Sequence, residues 1–316
     1  MSKRVLVLGG TGTIGQATLR ALLEAGHNVT AFGRTAVEME GLESRTGDVT
    51  DPASIAGDGL KGEPFDAVVS CLASRTGTPE DAWAIDHDAH AEVLKVAGTA
   101  GVAQFVLLSA ICVQRPKLAF QHAKLAFEEK LIASGLSYSI VRPTAYFKSL
   151  SGQIARIQAG KPFLLFGDGE LTSCKPISDR DLGRYLVNCL TEPALQNRIL
   201  PIGGPGPAVS PRAQGEMLFS LLGTPPKFRK VPVAMMDAII GGLGLAGHLS
   251  ANLAAKAELA RIGRYYATES MLVWDPVAEL YDADATPEFG EDLLAEHYAR
   301  VLSGNATVEL GDHAVF

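Results

Sequence analysis

Apolar and polar positions alternate along this chain in two kinds of block. Val5-Leu6-Val7-Leu8 is a continuous apolar run of strand length. It breaks into Gly9-Gly10-Thr11-Gly12-Thr13-Ile14-Gly15, and an amphipathic helical pattern follows through Ala17, Leu19, Ala21, Leu22 and Leu23. The rhythm then recurs. Asn28-Val29-Thr30-Ala31-Phe32 predicts a second strand, and a short third one precedes Gly47-Asp48-Val49-Thr50-Asp51. Ala67-Val68-Val69-Ser70 predicts a strand ending in the small residues Cys71, Leu72, Ala73 and Ser74. Helical spacing from about Pro79 to Ala100 leads into a strand at Gln104–Leu108, ending at Ser109. A helix over about Leu118 to Ser134 leads into a strand at Tyr138–Val141, closed by Arg142-Pro143. Such alternation predicts an α/β fold with a doubly wound parallel sheet, and ligands at the carboxyl ends of its strands.

After Pro143 the rhythm degrades, and proline and glycine cluster, as in Gly203-Gly204-Pro205-Gly206-Pro207. The expected division is a dinucleotide-binding domain over 1–150 and a smaller C-terminal substrate lobe over 151–316, some of whose segments return to the sheet. Within the lobe, Val231 to Ala246 is rich in Met, Ile, Leu and Gly, with Asp237 inside it. It is too short and too glycine-rich for a membrane span. The plainer reading is a buried helix and turn. The sharper one is a lid or wall for an apolar substrate, one taken from a membrane surface by transient contact.

Composition narrows the class. At 316 residues, 47% hydrophobic and 20% charged, the sequence suits a soluble globular protein, and its net charge of −7 argues against nucleic acid as partner. No signal peptide precedes the first strand, and Ser2-Lys3-Arg4 is too short for a transit peptide, so a cytoplasmic location is expected. Cys71, Cys112, Cys174 and Cys189 lie far apart, without the spacing of a zinc or iron–sulfur site. They read as reduced thiols, and no metal site is expected.

The glycine turn between strand and helix is the phosphate cradle of a dinucleotide site. Its glycines let the backbone approach a pyrophosphate, and the helix start offers free N–H groups and a positive dipole end. Gly9, Thr11, Gly12, Thr13, Ile14 and Gly15 are therefore candidate cofactor residues. An NAD-selective site carries an acid about 20 residues further on, for the ribose 2′-hydroxyl. Here the second strand ends at Gly33-Arg34-Thr35 instead, and a guanidinium suits the 2′-phosphate of NADP(H). Asp48, followed by Val49, follows the third strand. It reads equally as an acceptor for the adenine amine, a turn aspartate, or the N-cap of the helix after Pro52. Cys71, Leu72, Ala73, Ser109 and Pro143 sit at the ends of other strands, where a cofactor lies. Lys124 shares a helix face with Phe120, one turn before it; the plainer reading is an exposed helix lysine.

The glycine turn, Gly47-Asp48-Val49, Ser109, Lys124 and Arg142-Pro143 together resemble an atypical short-chain dehydrogenase/reductase with a Rossmann fold. The typical family has a tyrosine four residues before the lysine. Here that position is Phe120, so the usual proton donor is absent. Within that class the chain is similar to the NADPH-dependent reductases of the 8-vinyl group of divinyl (proto)chlorophyllides, in chlorophyll and bacteriochlorophyll biosynthesis. The similarity is carried by Val69 to Gly77, Leu107 to Gln114, Ile140 to Leu150 and Lys161-Pro162-Phe163. It continues through Phe166 to Gly169, Cys174 to Ser178, Leu200 to Gly206, Arg261 to Met271 and Gly311 to Phe316.

The resemblance implies hydride transfer from NADPH to a vinyl group on a magnesium tetrapyrrole. It places Lys124 and Ser109 at the reaction and Phe120 and Phe147 beside the substrate. For the proton, Tyr146, His122, Cys112 and solvent stay open. Arg261 and Arg264 suit the substrate's carboxylate, or are plain solvated helix arginines. His90 and His122 read as core or surface histidines rather than ligands of the substrate's magnesium. The implied location is the cytoplasm of a bacterium or the periphery of photosynthetic membranes. Two other readings stand beside this one: an atypical reductase of another aromatic or quinone-like compound, and a non-catalytic NADP-binding sensor.

Overall fold

The computed structural model describes residues 2–247 and 250–306. The terminal Gly311 to Phe316 motif lies outside the described residues. In chain order the first elements are β1 (Arg4–Leu8), α1 (Thr13–Glu24), β2 (Asn28–Gly33), β3 (Glu43–Thr46), α2 (Pro52–Ser54) and β4 (Ala67–Ser70). Next come α3 (Pro79–Ala82), α4 (His90–Thr99), β5 (Gln104–Leu108), α5 (Ala119–Ala133) and β6 (Ser137–Pro143). Then follow α6 (Phe147–Leu150), α7 (Ile154–Gln158), β7 (Phe163–Phe166), α8 (Asp179–Thr191), β8 (Arg198–Ile202) and α9 (Pro211–Leu221). The last are β9 (Phe228–Val231), α10 (Val233–Gly247), α11 (Ala251–Thr268), β10 (Val273–Asp275), β11 (Leu280–Asp282) and α12 (Leu294–Leu302).

The chain forms two compact units. The first comprises residues 1–74, 79–143 and 179–201; the second comprises 75–78, 144–178 and 202–316. The first therefore takes back α8 and most of β8 after an excursion of 35 residues. The sheet runs β3-β2-β1-β4-β5-β6-β8, and every neighbouring pair from β3 to β6 is parallel. Order reverses between β1 and β4, the switch point where such sheets open a crevice at their carboxyl ends. The inner strands β1, β4 and β5 are apolar along nearly their whole length because helices cover both faces. Leu6, Leu8, Phe32, Phe105, Phe127 and Ile140 are all buried in one cluster. On the other face α1 packs on α8, and closely: a Cβ on Gly183 would stand 2.8 Å from the Ala17 backbone.

The helical stretch from Pro79 is interrupted. Between α3 and α4 the backbone takes a π-helical course over Trp83–Ala89. A π turn widens the helix and shifts which side chains face inward, and such turns gather at functional sites. Here Asp86 and His90 both turn into the core. For α5, the side chain of Gln121 caps the entry, its Oε1 accepting from the Leu118 amide at 3.0 Å.

The second unit has its own core, in which Phe147, Ile154, Leu165, Phe219, Leu294 and Tyr298 meet. β7 pairs with β9 in parallel, and β10 with β11 antiparallel. The glycine-proline cluster has a packing reason: a Cβ on Gly204 would stand 2.1 Å from the Pro176 carbonyl. Two of the segments that carry the family resemblance thus lie directly against each other. A third, at Gly77, meets α11, where a Cβ would stand 2.7 Å from Ile262 Cδ1.

The apolar stretch after Val231 forms α10, which packs chiefly on α11. The expectation of a buried helix is corrected here: α10 has no buried residue. High hydropathy predicted the helix, but cover comes from neighbours, and α11 shields only one stripe of it. No helix among the described residues is long and apolar enough to cross a membrane.

Candidate active site

The glycine turn joins β1 to α1 at the switch point. Gly9 has φ +75°, and a Cβ there would stand 2.6 Å from the backbone of Cys71 at the end of β4. Gly15 presses on the turn itself, since its Cβ would stand 2.1 Å from the Gly9 carbonyl. Gly12 differs. Its nearest atom would be the Gly9 carbonyl at 3.5 Å, ordinary contact, so nothing inside the protein requires a glycine there. Gly12 is also the N-cap of α1, without a side-chain cap and without an acid in the first turn. A bare backbone and uncapped N–H groups at a helix start suit a pyrophosphate. The residues present therefore fit a dinucleotide.

Arg34 is exposed directly after β2, at the same end of the sheet as the glycine turn. Asp48 follows β3, which pairs with β2. Its Oδ1 accepts from the Thr50 amide at 2.9 Å and from the Thr50 hydroxyl at 2.7 Å. Those bonds, and after them the Arg34 charge, hold the carboxyl below its ordinary range. Asp48 thus closes its own turn through Oδ1, and the cap of α2 is Asp51, which accepts from the Ala53 amide. Val49 is buried beneath this turn. At the end of β4, burial pushes the Cys71 thiol up to about 12, so it is a neutral wall and not a nucleophile. Leu72 is half-buried and Ala73 exposed.

Lys124 is not an exposed helix lysine. It is 9% exposed, and its ammonium stands 3.0 Å from Asp86 Oδ1. Asp86 is 1% exposed and also accepts from the Ser74 amide at 3.2 Å and the Ser74 hydroxyl at 2.7 Å. The π-helical turn brings Asp86 to this place. Sequence reasoning passed over Asp86, although a signal existed: it interrupts the buried stripe of Ala82, Ala89, Val93 and Ala97. Phe120, one turn before Lys124, is buried as well. Below them His90 Nε2 meets the Ser70 hydroxyl and Nδ1 meets the Ile85 carbonyl, both at 2.8 Å. Burial, followed by the Lys124 charge, lowers its pKa to about 4. With both ring nitrogens engaged, His90 is a neutral core histidine.

Ser109 is buried, and its hydroxyl donates to Glu128 Oε1, which in turn pairs with Arg142. These three tie the ends of β5 and β6 to α5, and Glu128 was another residue missed from sequence. Pro143 is buried where β6 ends. Cys112 is also buried, and His122 is exposed. Two helical positions before Lys124 is a rotation of about 200°, so His122 faces away from the Phe120–Lys124 side.

In the second unit Tyr146 is half-buried and starts α6. Phe147 is a correction: it is 3% exposed, packed in the unit's core with its ring 5.4 Å from that of His297, and so is scaffold rather than an open contact. Arg261 pairs with Glu258 at 2.9 Å, and Arg264 pairs with Asp237 of α10. Both arginines are bound locally as well as solvated. Among the described residues no cluster of three or more His, Cys, Asp or Glu is gathered for a metal.

Comparison with known proteins agrees with a dinucleotide-binding fold. A family described as NAD(P)H-binding matches residues 9–193, more than half of the chain. An NADPH-dependent quinone oxidoreductase of Escherichia coli, solved with NADPH, shares the fold at a TM-score of 0.66 and 18% identity, covering 94% of this chain and 99% of its own. The chain is thus a nicotinamide-dinucleotide-binding protein with a Rossmann fold. The chloroplastic divinyl chlorophyllide a 8-vinyl-reductase of Zea mays is 46% identical over 99% of this chain and 82% of its own length. Its counterpart in Arabidopsis thaliana is 43% identical over 98% and 79%. The chain belongs to the divinyl chlorophyllide a 8-vinyl-reductase family.

Proposed function

We propose that this protein reduces the 8-vinyl group of divinyl chlorophyllide a, or of the corresponding protochlorophyllide, to ethyl at the expense of NADPH. The observation that carries the reading is similarity over nearly the whole chain, second unit included, to reductases named for that reaction. Phe120 fits it. The typical tyrosine protonates an alkoxide, but charge developing on a vinyl carbon spreads into the macrocycle and no alkoxide forms. The test is to incubate the purified protein with NADPH and divinyl chlorophyllide a. A blue shift of the Soret band with loss of one vinyl group supports the reading. Cofactor binding with no turnover of either pigment overturns it in favour of a sensor.

In this proposal NADPH, when bound, supplies the hydride. Gly9 to Gly15 hold its pyrophosphate, and Arg34 binds its 2′-phosphate. Lys124, fixed by Asp86, orients the nicotinamide ribose and keeps the local field positive as charge builds on the substrate. Phe120 excludes water from that face. Ser109 acts through Glu128 and Arg142 by fixing strand ends, since its proton is already donated. Tyr146 delivers the proton to the inner vinyl carbon, and Arg261 and Arg264 exchange their local partners for the substrate carboxylate.

Two tests follow directly. Arg34→Ala removes one charge-assisted phosphate contact, of about 1.5–3 kcal/mol. It should raise KM for NADPH by tenfold or more, a figure that follows at about 1.4 kcal/mol per decade. KM for NADH should barely move, and an equal loss with both cofactors removes Arg34 from the 2′-phosphate. Tyr146→Phe should lower kcat by about a hundredfold, the usual scale for a general acid. A near-normal Tyr146→Phe enzyme in steady-state assays assigns the proton to solvent instead.

A further inference from the structure

α10 presents two apolar stripes, and only one is covered. Val233, Met236, Ile240, Leu243, Gly244 and Gly247 are half-buried, in an arc of about 100°. Met235, Ala238, Ile239, Gly242 and Leu245 are exposed, in a second arc of about 120° on the other side, with only the small Ala246 half-buried among them. Met235 and Ile239 are each 48% exposed and Leu245 is 77% exposed. Of the thirteen large apolar side chains exposed among the described residues, three lie on this one arc of α10. That concentration marks an interaction surface rather than scattered exposure.

Charge identifies the partner. Asp237, the sole ionisable residue of α10, is paired with Arg264 of α11, which offsets its charge. Immediately before it, Lys227, Arg229 and Lys230 are all exposed, in a protein whose net charge is −7. An apolar helix face beside a short basic run matches an anionic lipid surface: the side chains enter the acyl boundary and the cations meet the headgroups. A 15-residue helix, about 22 Å long, is too short to span and suits lying in the interface. A second copy docking through the same patch would bring the same basic run and no unpaired acid on α10.

We propose that the outer face of α10, with Lys227, Arg229 and Lys230, docks the protein on an anionic membrane surface. The proposal does not depend on the reduction reaction, and its test needs no turnover. The full chain is floated with phosphatidylcholine vesicles, with and without about 30 mol % phosphatidylglycerol. It should float with the anionic vesicles, less at high salt, and hardly with the neutral ones. Met235→Ser/Ile239→Ser/Leu245→Ser should lower the bound fraction about tenfold or more, with NADPH binding and melting temperature unchanged. Lys227→Gln/Arg229→Gln/Lys230→Gln, which leaves α10 intact, should lower binding to the anionic vesicles only. A wild-type protein that does not float overturns the proposal, as does flotation indifferent to the basic-run substitutions. A dimer that the apolar substitutions convert to monomer, with no flotation, assigns the face to a second copy instead.

Discussion

Replacing Lys124 with alanine is expected to lower kcat on divinyl chlorophyllide a by about a hundredfold, or ~2.7 kcal/mol. The argument starts from burial. The ammonium is held at 3.0 Å from a carboxylate that is itself 1% exposed, so neither charge can move to solvent. A buried cation fixed in this way is a standing positive field, needing no reorganisation as negative charge develops nearby. Truncation also leaves Asp86 with only Ser74 for partner, and an uncompensated buried carboxylate costs about 3–5 kcal/mol of stability. A drop in activity alone would therefore be ambiguous. Lys124→Ala/Asp86→Asn removes the orphaned charge and should recover most of the stability in urea unfolding while staying slow. If that double variant turns over near the normal rate, lysine has no part in the mechanism. Phe120→Tyr should bring no gain, because the reaction has no alkoxide at that place; a clearly faster enzyme would mean that proton delivery there limits the rate.

The contrast between Lys124 and its partner shows where a sequence stops being legible. The strands β1, β2, β4, β5 and β6 could be read because each holds a local apolar run bounded by its own turn signals, whereas the polar β3 was placed only by the Gly47 turn that follows it. The glycine turn was readable for the same reason. Lys124 was readable as a position but not as a buried one, because its partner lies 38 residues away on another helix. The π-helical turn over Trp83–Ala89 has no composition signal, since helical periodicity runs straight across it, and only Asp86, a charge on the apolar stripe, marks the place. Glu128 and Arg142 are 14 apart and meet only once β6 lies beside β5. For α10 the failure was of another kind. Hydropathy reports what a segment would bury, not what is available to bury it, and α11 covers one stripe only.

The same separation between local and external causes predicts opposite fates for two glycines in one turn. Gly15→Ala places a methyl 2.1 Å from the Gly9 carbonyl and 2.9 Å from Gly10 Cα. Backbone atoms at that distance cannot swing aside, so the β1–α1 turn must shift and stability should fall by about 1–3 kcal/mol. Gly12→Ala meets only the Gly9 carbonyl at 3.5 Å, from an N-cap backbone at φ −76° that alanine adopts freely. Its melting temperature should stay close to that of the parent. Cofactor binding should weaken sharply, because the methyl occupies the space where the pyrophosphate approaches the backbone. We expect NADPH affinity, read by titration of nucleotide fluorescence, to fall about a hundredfold, which corresponds to ~2.7 kcal/mol. The two variants together separate what the turn does for the fold from what it does for the ligand. A Gly12→Ala protein that binds NADPH normally would show that the dinucleotide does not pass over this turn, and the site assigned from Gly9 to Gly15 would have to be abandoned.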